Sequence, residues 1–276
     1  MKSFNTLSSI KYIIVHGGKS SHADEQRACA LAYAFGADCD IFRRDPTPGE
    51  LEDRDVLVLD VGMVCDFEKR NLDHHQRGRD EAPMCAYALL ARYLECESDM
   101  SACFDWFEPG ILMDVTGPFQ TSKHYGVDWN TVGPMIATPE QDYFAHRWAE
   151  DIKFREEYST HLGDEVRKVL EGWSKVTDYI HPVEIAGIKV GDCREQPDDL
   201  RCLQDPYIRN YGPEVMVFND DRGNGLGLLR INDCPKIDFS KLEGRSDILF
   251  AHKGGFIAKT KTKDADLASR LSKAKV

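Results

Sequence analysis

An aspartate followed by two histidines, Asp73, His74 and His75, stands in the segment VCDFEKRNLDHHQRGR. Imidazole and carboxylate groups bind transition metals, and imidazole exchanges protons near neutral pH. A single polar residue would serve the fold equally well, so three such residues in succession indicate chemistry. The segment predicts a metal or phosphate site, provided that other segments supply further ligands.

Further residues of the same chemistry follow other apolar runs. His16 follows KYIIV, Asp60 follows DVLVL and Asp114 follows ILM, while His22 and Asp24 stand two residues apart. Positions two apart in an extended segment face the same side. Each residue taken alone is more often a cap or a satisfied core residue. Together they predict a centre for Mn²⁺, Fe²⁺, Zn²⁺ or Co²⁺, the ions that mixed imidazole and carboxylate ligands favour.

The elements that carry these residues alternate between strands and helices. The patterns predict strands at 11–18, at CDIFRR and at 55–62, with helices at 20–37, opened by serine caps, and at 81–96, with a proline in its first turn. This alternation predicts a parallel sheet with helices on its faces. Ligands of such sheets lie beyond the carboxyl ends of the strands, and His16 and Asp60 fall at that edge.

The predicted pattern of strands, helices and turns changes twice along the chain. We predict an α/β metal-binding domain at 1–137, a helical linker at 138–180, and a smaller α+β substrate-binding domain of short strands and turns at 181–276. The linker carries aromatic and aliphatic residues at helical spacing, which indicates core packing.

Composition limits the classes of function. The 276 residues carry a net charge of −12, which argues against a protein that coats nucleic acid through a basic surface. After residue 240, nine basic and four acidic residues give a net charge of +5. A basic tail on an acidic body suits a cation-loaded site that faces an anionic substrate, and a solvated terminal helix explains it equally well.

The cysteines and the apolar runs indicate the compartment. Nine scattered cysteines include no Cys-x-x-Cys pair, so neither a disulfide framework nor structural zinc is expected. Reduced thiols point to the cytoplasm. No apolar run approaches the roughly 18 residues of a membrane span, so we expect no membrane association.

Two of these motifs resemble a known superfamily. VLVLDVG followed by LDHHQ is similar to the second and third motifs of the DHH phosphoesterase superfamily. A first loop with His22 before Asp24 and Glu25 is most similar to the melanocyte-proliferating-gene branch, once labelled metal-dependent protein hydrolases. The segment LFAHKGGFIAKTKTKDADLASRLSKA resembles the C-terminus of that branch.

The resemblance implies a two-metal centre, with manganese as the expected ion and cobalt, magnesium or zinc as alternatives. One ion would be held by His16, His22 and Asp60, and the other by Asp24, Asp60, His74 and Asp114. Asp105 and Glu108 are the alternatives to Asp114, because the fourth motif departs from the family pattern.

The resemblance also implies catalytic roles for the two other members of the triplet. His75 would face the substrate phosphate and protonate the leaving oxygen. Asp73 would orient an imidazole and fix its tautomer.

Substrate contacts would come from the C-terminal domain, with the active site in the cleft between the domains. The residues that the resemblance places there are His252, Lys253, Gly254, Gly255, Lys259 and Lys261. The motif Gly-Gly-His reads Gly254-Gly255-Phe256 here, and His252 is the candidate replacement for its imidazole.

The implied activity is a phosphodiesterase, a 3′–5′ exoribonuclease that acts on short RNA. Two alternatives remain open: a pyrophosphatase-like hydrolase of small phosphates or nucleotides, and a non-catalytic nucleotide-binding module. A homo-oligomer is the remaining partner expectation.

Overall fold

The computed structural model describes residues 6–78, 81–136, 138–221, 223–263 and 266–276. The chain forms two compact units, Met1–Leu170 and Glu171–Val276. Both combine a sheet with helices, so the predicted α/β class is confirmed. The predicted domain boundaries at 137 and 180, and the cleft between the domains, stay predictions.

The sheet of the first unit contains five strands in the order β2-β1-β3-β5-β4. The strands are β1 (Tyr12–Val15), β2 (Asp40–Arg43), β3 (Val56–Leu59), β4 (Cys65–Asp66) and β5 (Asn71–Leu72). β1 is parallel to β2 and β3, and β5 is parallel to β3, but β4 runs antiparallel at one edge. The sheet is therefore mixed, whereas the sequence predicted a parallel one.

Helices separate and follow these strands along the chain. They are α1 (Ala23–Ala34), α2 (Pro48–Glu52), α3 (Ala86–Tyr93), α4 (Glu97–Cys103), α5 (Phe107–Thr116), α6 (Pro118–His124), α7 (Trp129–Ile136), α8 (Pro139–Glu150) and α9 (Ile152–Trp173). The strand sequences YIIV and VLVL are apolar and β-branched, as strands covered on both faces require. The main core lies between the sheet, α1 and α3, with Trp148 of α8 fully buried in it.

Two predicted helix starts are corrected by the structure. The cap of α1 is His22, because the hydroxyl of Ser21 bonds to Ala145 and Gln26 instead. The helix predicted at 81–96 begins at Ala86, since Cys85 is extended and the first amide groups of the helix donate to Asp24.

The second unit contains the short strands that the sequence predicted after residue 180. Its sheet has the order β10-β11-β9-β8-β7-β6. The strands are β6 (His181–Ile185), β7 (Ile188–Asp192), β8 (Val215–Asn219), β9 (Leu226–Arg230), β10 (Ile248–Ala251) and β11 (Ile257–Thr260), with helices α10 (Val176–Tyr179), α11 (Gln204–Tyr211) and α12 (Leu267–Ala274). β7 and β8 are parallel and the other neighbours are antiparallel.

Among the helices that the structure describes, none has both the length and the apolar character needed to cross a membrane.

Candidate metal centre

Three parallel strands of the first unit end at one edge of the sheet, and a predicted site residue follows each. His16 follows β1, Asp60 follows β3 and Asp73 follows β5. Leu59 pairs with Leu72, so Asp60 and Asp73 leave the sheet side by side. The two-residue strand β5, which the sequence did not predict, thus brings the Asp73-His74-His75 triplet to Asp60.

Asp60 adopts a conformation that is costly for a residue with a side chain. Its φ angle is 59°, in the left-handed region, and its amide donates to the carbonyl of Leu72 over 3.2 Å. Non-glycine residues in this region cost about 1–3 kcal/mol and cluster at functional sites. The backbone of Asp60 is therefore held in a strained conformation that places its carboxylate at the site.

Three carboxylates converge on one imidazole nitrogen. Nε2 of His74 lies 3.1 Å from Asp60 Oδ1, 3.1 Å from Asp114 Oδ2 and 3.8 Å from Asp24 Oδ2. Asp24 and Asp60 are buried, and Asp114 is half-buried on α5. The ligand atoms form two overlapping groups that could hold a metal ion, Asp60 with His74 and His75, and Asp24 with His74 and Asp114.

The N-terminus of α3 fixes the carboxylate of Asp24. Oδ2 accepts the amide of Ala86 at 2.9 Å, and Oδ1 accepts the amide of Tyr87 at 3.0 Å. Amides at a helix N-terminus favour a negative charge. The helix therefore holds Asp24 in place without neutralising it.

The crowding of acids perturbs the pKa values of the cluster. Burial, followed by the charges of Asp60 and Asp114, raises the pKa of Asp24 above its ordinary value. Burial would lower the pKa of His74, but the nearby carboxylates of Asp114, Asp60 and Asp24 raise it to about 10. Without another cation, the cluster relies on His74 for its positive charge.

One imidazole cannot satisfy this set of acceptors. Nε2 carries at most one hydrogen, which it can aim at one oxygen. Asp114 Oδ2 is buried without a hydrogen-bond partner although it lies close to Nε2. Buried charges require a partner, and carboxylates with an imidazole form a donor set suited to Mn²⁺ or a similar divalent ion. The residues fit a metal ion.

His75 and Asp73 form a separate pair at the rim of the cluster. The imidazole Nδ1 lies 2.7 Å from Asp73 Oδ1, and the side chain of His75 is 48% exposed. Asp73 also accepts the amides of His75 and Met63. Burial would raise the pKa of Asp73, but these hydrogen bonds hold it below its ordinary value. Asp73 thus stays ionised and orients the ring of His75.

The two histidines of the first loop meet each other but lie outside both groups. The rings of His16 and His22 stack with centroids 5.8 Å apart. Nδ1 of His16 is buried and lacks a hydrogen-bond partner. Among the described residues the close groups contain neither ring, so the predicted second ligand set of His16, His22 and Asp60 stays a prediction.

A buried ion pair that the sequence analysis missed anchors this loop. Arg43 donates to the carbonyls of Gly18 and Ser20 and to Oε1 of Glu25. Glu25 accepts the amide of His22 over 2.8 Å. Burial raises the pKa of Glu25 to about 7, although the charge of Arg43 opposes the shift. Nothing in the sequence indicated that Arg43, at the end of β2, would bind the loop between His16 and His22.

The alternatives to Asp114 do not enter the cluster. Glu108 accepts the hydroxyl of Ser101, and Asp105 belongs to neither group. Arg77, which follows the triplet, pairs with Glu81, and Arg79 lies outside the described residues.

The residues predicted to contact substrate divide into two sets. Lys253 and Lys261 are exposed and line a groove with His252. Lys259 is buried, only 9% exposed, and its ammonium is hydrogen-bonded to Asp220. Gly254 donates to His252 Nδ1, and Gly255 has a φ of 69°, so both shape the turn. Lys259 is thus engaged inside the unit, where the sequence analysis expected a substrate contact.

A family model matches part of the chain. It is MYG1_exonuc, described as "Uncharacterised protein family (UPF0160)", and it matches residues 12–87. This stretch holds the histidines of the first loop, Asp24, Asp60 and the Asp-His-His triplet. The chain is therefore similar to that family over the segment that carries most of the candidate ligands.

Solved structures and curated proteins assign neither a family nor a function to the chain. A structure described as "Crystal structure of an uncharacterized protein from Helicobacter pylori G27" matches with 11% identity and a TM-score of 0.28, over 95% of this chain and 97% of that chain. No curated protein matches the chain.

The predicted superfamily is corrected by these comparisons. The assignment to the DHH phosphoesterases, drawn from VLVLDVG and LDHHQ, is wrong, because the family model that matches these segments describes a different family.

Proposed function

We propose that the protein is a metal-dependent phosphodiesterase that shortens RNA from its 3′ end. One observation carries the proposal: three carboxylates converge on Nε2 of His74 at 3.1, 3.1 and 3.8 Å. The name of the matching family model contains the term "exonuc", which supports a nuclease over other hydrolases.

Asp24, Asp60, His74 and Asp114 would hold the metal, with His16 and His22 as the proposed ligands of a second ion. Manganese is the proposed ion for both sites. When bound, divalent ions offset charge on phosphate oxygens and promote the ionisation of water. Asp60 lies within 4 Å of both His74 and His75, so it occupies the centre of the arrangement.

His75 would donate a proton to the leaving oxygen. Its Nδ1 faces Asp73, so Nε2, on the other side of the ring, is directed away from that carboxylate. Asp73 fixes the orientation of the ring. The half-exposed side chain leaves the proton accessible to a substrate.

The test uses the whole chain reconstituted with Mn²⁺. A short oligoribonucleotide labelled at its 5′ end should give a ladder of products that shortens from the 3′ end. Pyrophosphate, a nucleoside monophosphate and bis(p-nitrophenyl) phosphate are the comparison substrates. Faster hydrolysis of pyrophosphate than of RNA would refute the nuclease proposal in favour of a small-phosphate hydrolase. Nucleotide binding without turnover would instead favour a binding module.

A further inference from the structure

The six-stranded sheet of the second unit has two edges that differ in sequence. β6 (His181–Ile185) forms one edge and carries Pro182, which has no amide to donate, and the charged Glu184. Prolines and charges on an edge strand hinder its pairing with another chain. β10 (Ile248–Ala251) forms the other edge, and its sequence ILFA contains neither proline nor charge. β10 is therefore an edge that can accept a further strand.

The backbone of β10 offers hydrogen-bonding groups to such a strand. The amide of His252 donates to the carbonyl of Ile257 in β11 over 2.9 Å, and Ala251 pairs with Ala258 at the next position of the ladder. Neighbouring positions of an antiparallel ladder direct their amides and carbonyls alternately toward and away from the partner strand. The amide and the carbonyl of Ala251 therefore point away from β11, toward the open edge.

Two large apolar side chains lie on the same edge. Leu249 is 59% exposed and has no partner on β11, because the register of the two strands shifts between Ile248 and Phe250. Phe250 is 46% exposed. Both line a groove of about 860 Å³ that runs along the strand, and residues 243–246 line it as well. Exposed apolar side chains in a groove indicate that a partner covers them.

The groove carries more positive than negative charge. Among the described residues that line it, Arg245, Lys253 and Lys261 are cationic and Glu243 alone is acidic. Arg245 pairs with Asp247 at 3.1 Å, but that carboxylate also pairs with a second, buried guanidinium group at 2.8 Å. One carboxylate cannot offset two guanidinium groups, so the groove favours a partner that brings carboxylates of its own.

We propose that β10 binds an acidic peptide segment of another protein as an added strand. Recognition of this kind combines main-chain hydrogen bonds at a sheet edge with contacts to alternate side chains of the peptide, and β10 offers surfaces for both. A nucleic acid strand lacks the amides that pair with a strand edge. The inference goes beyond the proposed function, since it uses neither the metal centre nor its ligands.

Charge argues against a second copy of this chain as the occupant. Two-fold pairing of β10 with itself would bring Arg245, Lys253 and Lys261 of both copies to one interface, with Glu243 of each copy to offset them. Like charges that face each other across an interface weaken binding. An acidic peptide instead brings the carboxylates that the groove lacks.

The experiment measures binding of a short fluorescent peptide, in which valine and glutamate alternate, to the full chain. Leu249→Ala should weaken binding about tenfold, which corresponds to about 1.4 kcal/mol, because the peptide no longer buries the leucine side chain. Val183→Ala is the matched control. Val183 is an exposed apolar residue of β6, at the opposite edge of the sheet, and its loss should leave the dissociation constant unchanged.

Main-chain pairing is tested on the protein and on the peptide. Ala251→Pro removes the outward amide and should weaken binding about fivefold, and the fold should tolerate it because that amide does not bond to β11. In the bound peptide, alternate amides face β10 and the others face solvent. Methylation of the first set of nitrogens should weaken binding, and methylation of the second set should leave it unchanged. The methylated peptides need no change in the protein, so they decide the point even if Ala251→Pro fails to fold.

The preference for acidic peptides is tested through charge. A peptide in which valine and lysine alternate should bind more weakly than the valine–glutamate peptide. Glu243→Gln should tighten binding of the valine–glutamate peptide about twofold, because it removes the acid that lines the groove.

Three outcomes would overturn the inference. One is that Leu249→Ala binds the peptide as tightly as the wild type and that both methylated peptides bind as tightly as their parent. Another is that an oligoribonucleotide displaces the peptide as effectively as unlabelled peptide does, which would assign the groove to polyanions in general. The third is that the wild type sediments as a dimer and Leu249→Lys as a monomer, which would assign β10 to a second copy of the chain.

Discussion

Buried charges occur in both units, and a cluster in the first unit differs from a pair in the second in how far the charges compensate one another. In the first unit, Asp24, Asp60 and Asp114 share the single nitrogen of His74, so negative charge is in excess. In the second unit, the ammonium of Lys259 meets the carboxylate of Asp220, one charge against one. Burial alone therefore does not mark a functional residue. A buried charge that no opposite charge offsets indicates that a ligand binds there.

Removing the central acid gives the largest expected effect. Asp60→Asn should reduce Mn²⁺-dependent hydrolysis of RNA to background, because Asp60 belongs to one group of candidate ligands and contacts His74, which both groups share. In EDTA the same variant should unfold at a higher temperature than the wild type, since it relieves repulsion among the acids. Asp55→Asn, at a surface pair with Lys11, is the control and should change neither quantity. A lower melting temperature in EDTA for Asp60→Asn would show that the acids are already compensated in the metal-free protein.

The next effect separates the two histidines of the triplet. His75→Ala should keep the metal and lower turnover about 10²–10⁴-fold, the usual range for loss of a general acid. His74→Ala should lose both metal and turnover, because its Nε2 lies among three carboxylates. Metal content and turnover measured on the same preparations decide the point. Equal metal loss in the two variants would contradict the division of roles.

The paired charge of the second unit gives a stability effect of intermediate size. Lys259→Met should lower the free energy of unfolding by about 3–5 kcal/mol, because it leaves Asp220 buried without its cation. Lys261→Met, two residues later and exposed, is the matched control and should change the free energy of unfolding by less than about 0.5 kcal/mol. Urea unfolding of the full chain measures both. If the two variants were equally stable, the buried pair would contribute nothing to the fold.

The smallest effect is the dependence of stability on pH without metal. The folded-state pKa values of Glu25, about 7, and His74, about 10, exceed their ordinary values of 4.5 and 6.5. The folded state therefore binds protons more tightly than the unfolded state, so stability should fall as pH rises from 5 to 8. Mn²⁺ should oppose this fall, because metal binding requires deprotonated ligands. Melting temperatures in EDTA that rise from pH 5 to 8 would contradict the account.

Much of the first unit could be predicted from its sequence because two of its strands, β1 and β3, are buried on both faces. YIIV and VLVL have the apolar, β-branched composition that such strands require, and the acids and histidines that follow them stand out. The strand β5 could not be predicted, since two residues carry no periodicity. The start of α3 depends on Asp24, more than sixty residues away, and a local pattern cannot reveal that contact.

In the second unit, the sequence did not reveal which charged side chains are exposed and which are buried. Lys259 and Lys261 look alike in the segment IAKTKT, yet one is buried against Asp220 and the other is exposed at the groove. Their difference comes from a partner 39 residues away. The exposure of Phe250 depends on topology in the same way, because an aromatic residue in a strand usually predicts core and only the edge position of β10 exposes it.

The most direct test of the central claim is a calorimetric titration of the metal-free chain with Mn²⁺, paired with metal analysis after dialysis. We expect the wild type to retain manganese, close to two ions per chain if His16 and His22 complete the second site. His74→Ala and Asp60→Asn should each retain less, and Asp55→Asn should retain as much as the wild type. Retention of the wild-type amount by the combined Asp60→Asn and His74→Ala variant would contradict the assignment of the carboxylate cluster as a metal centre.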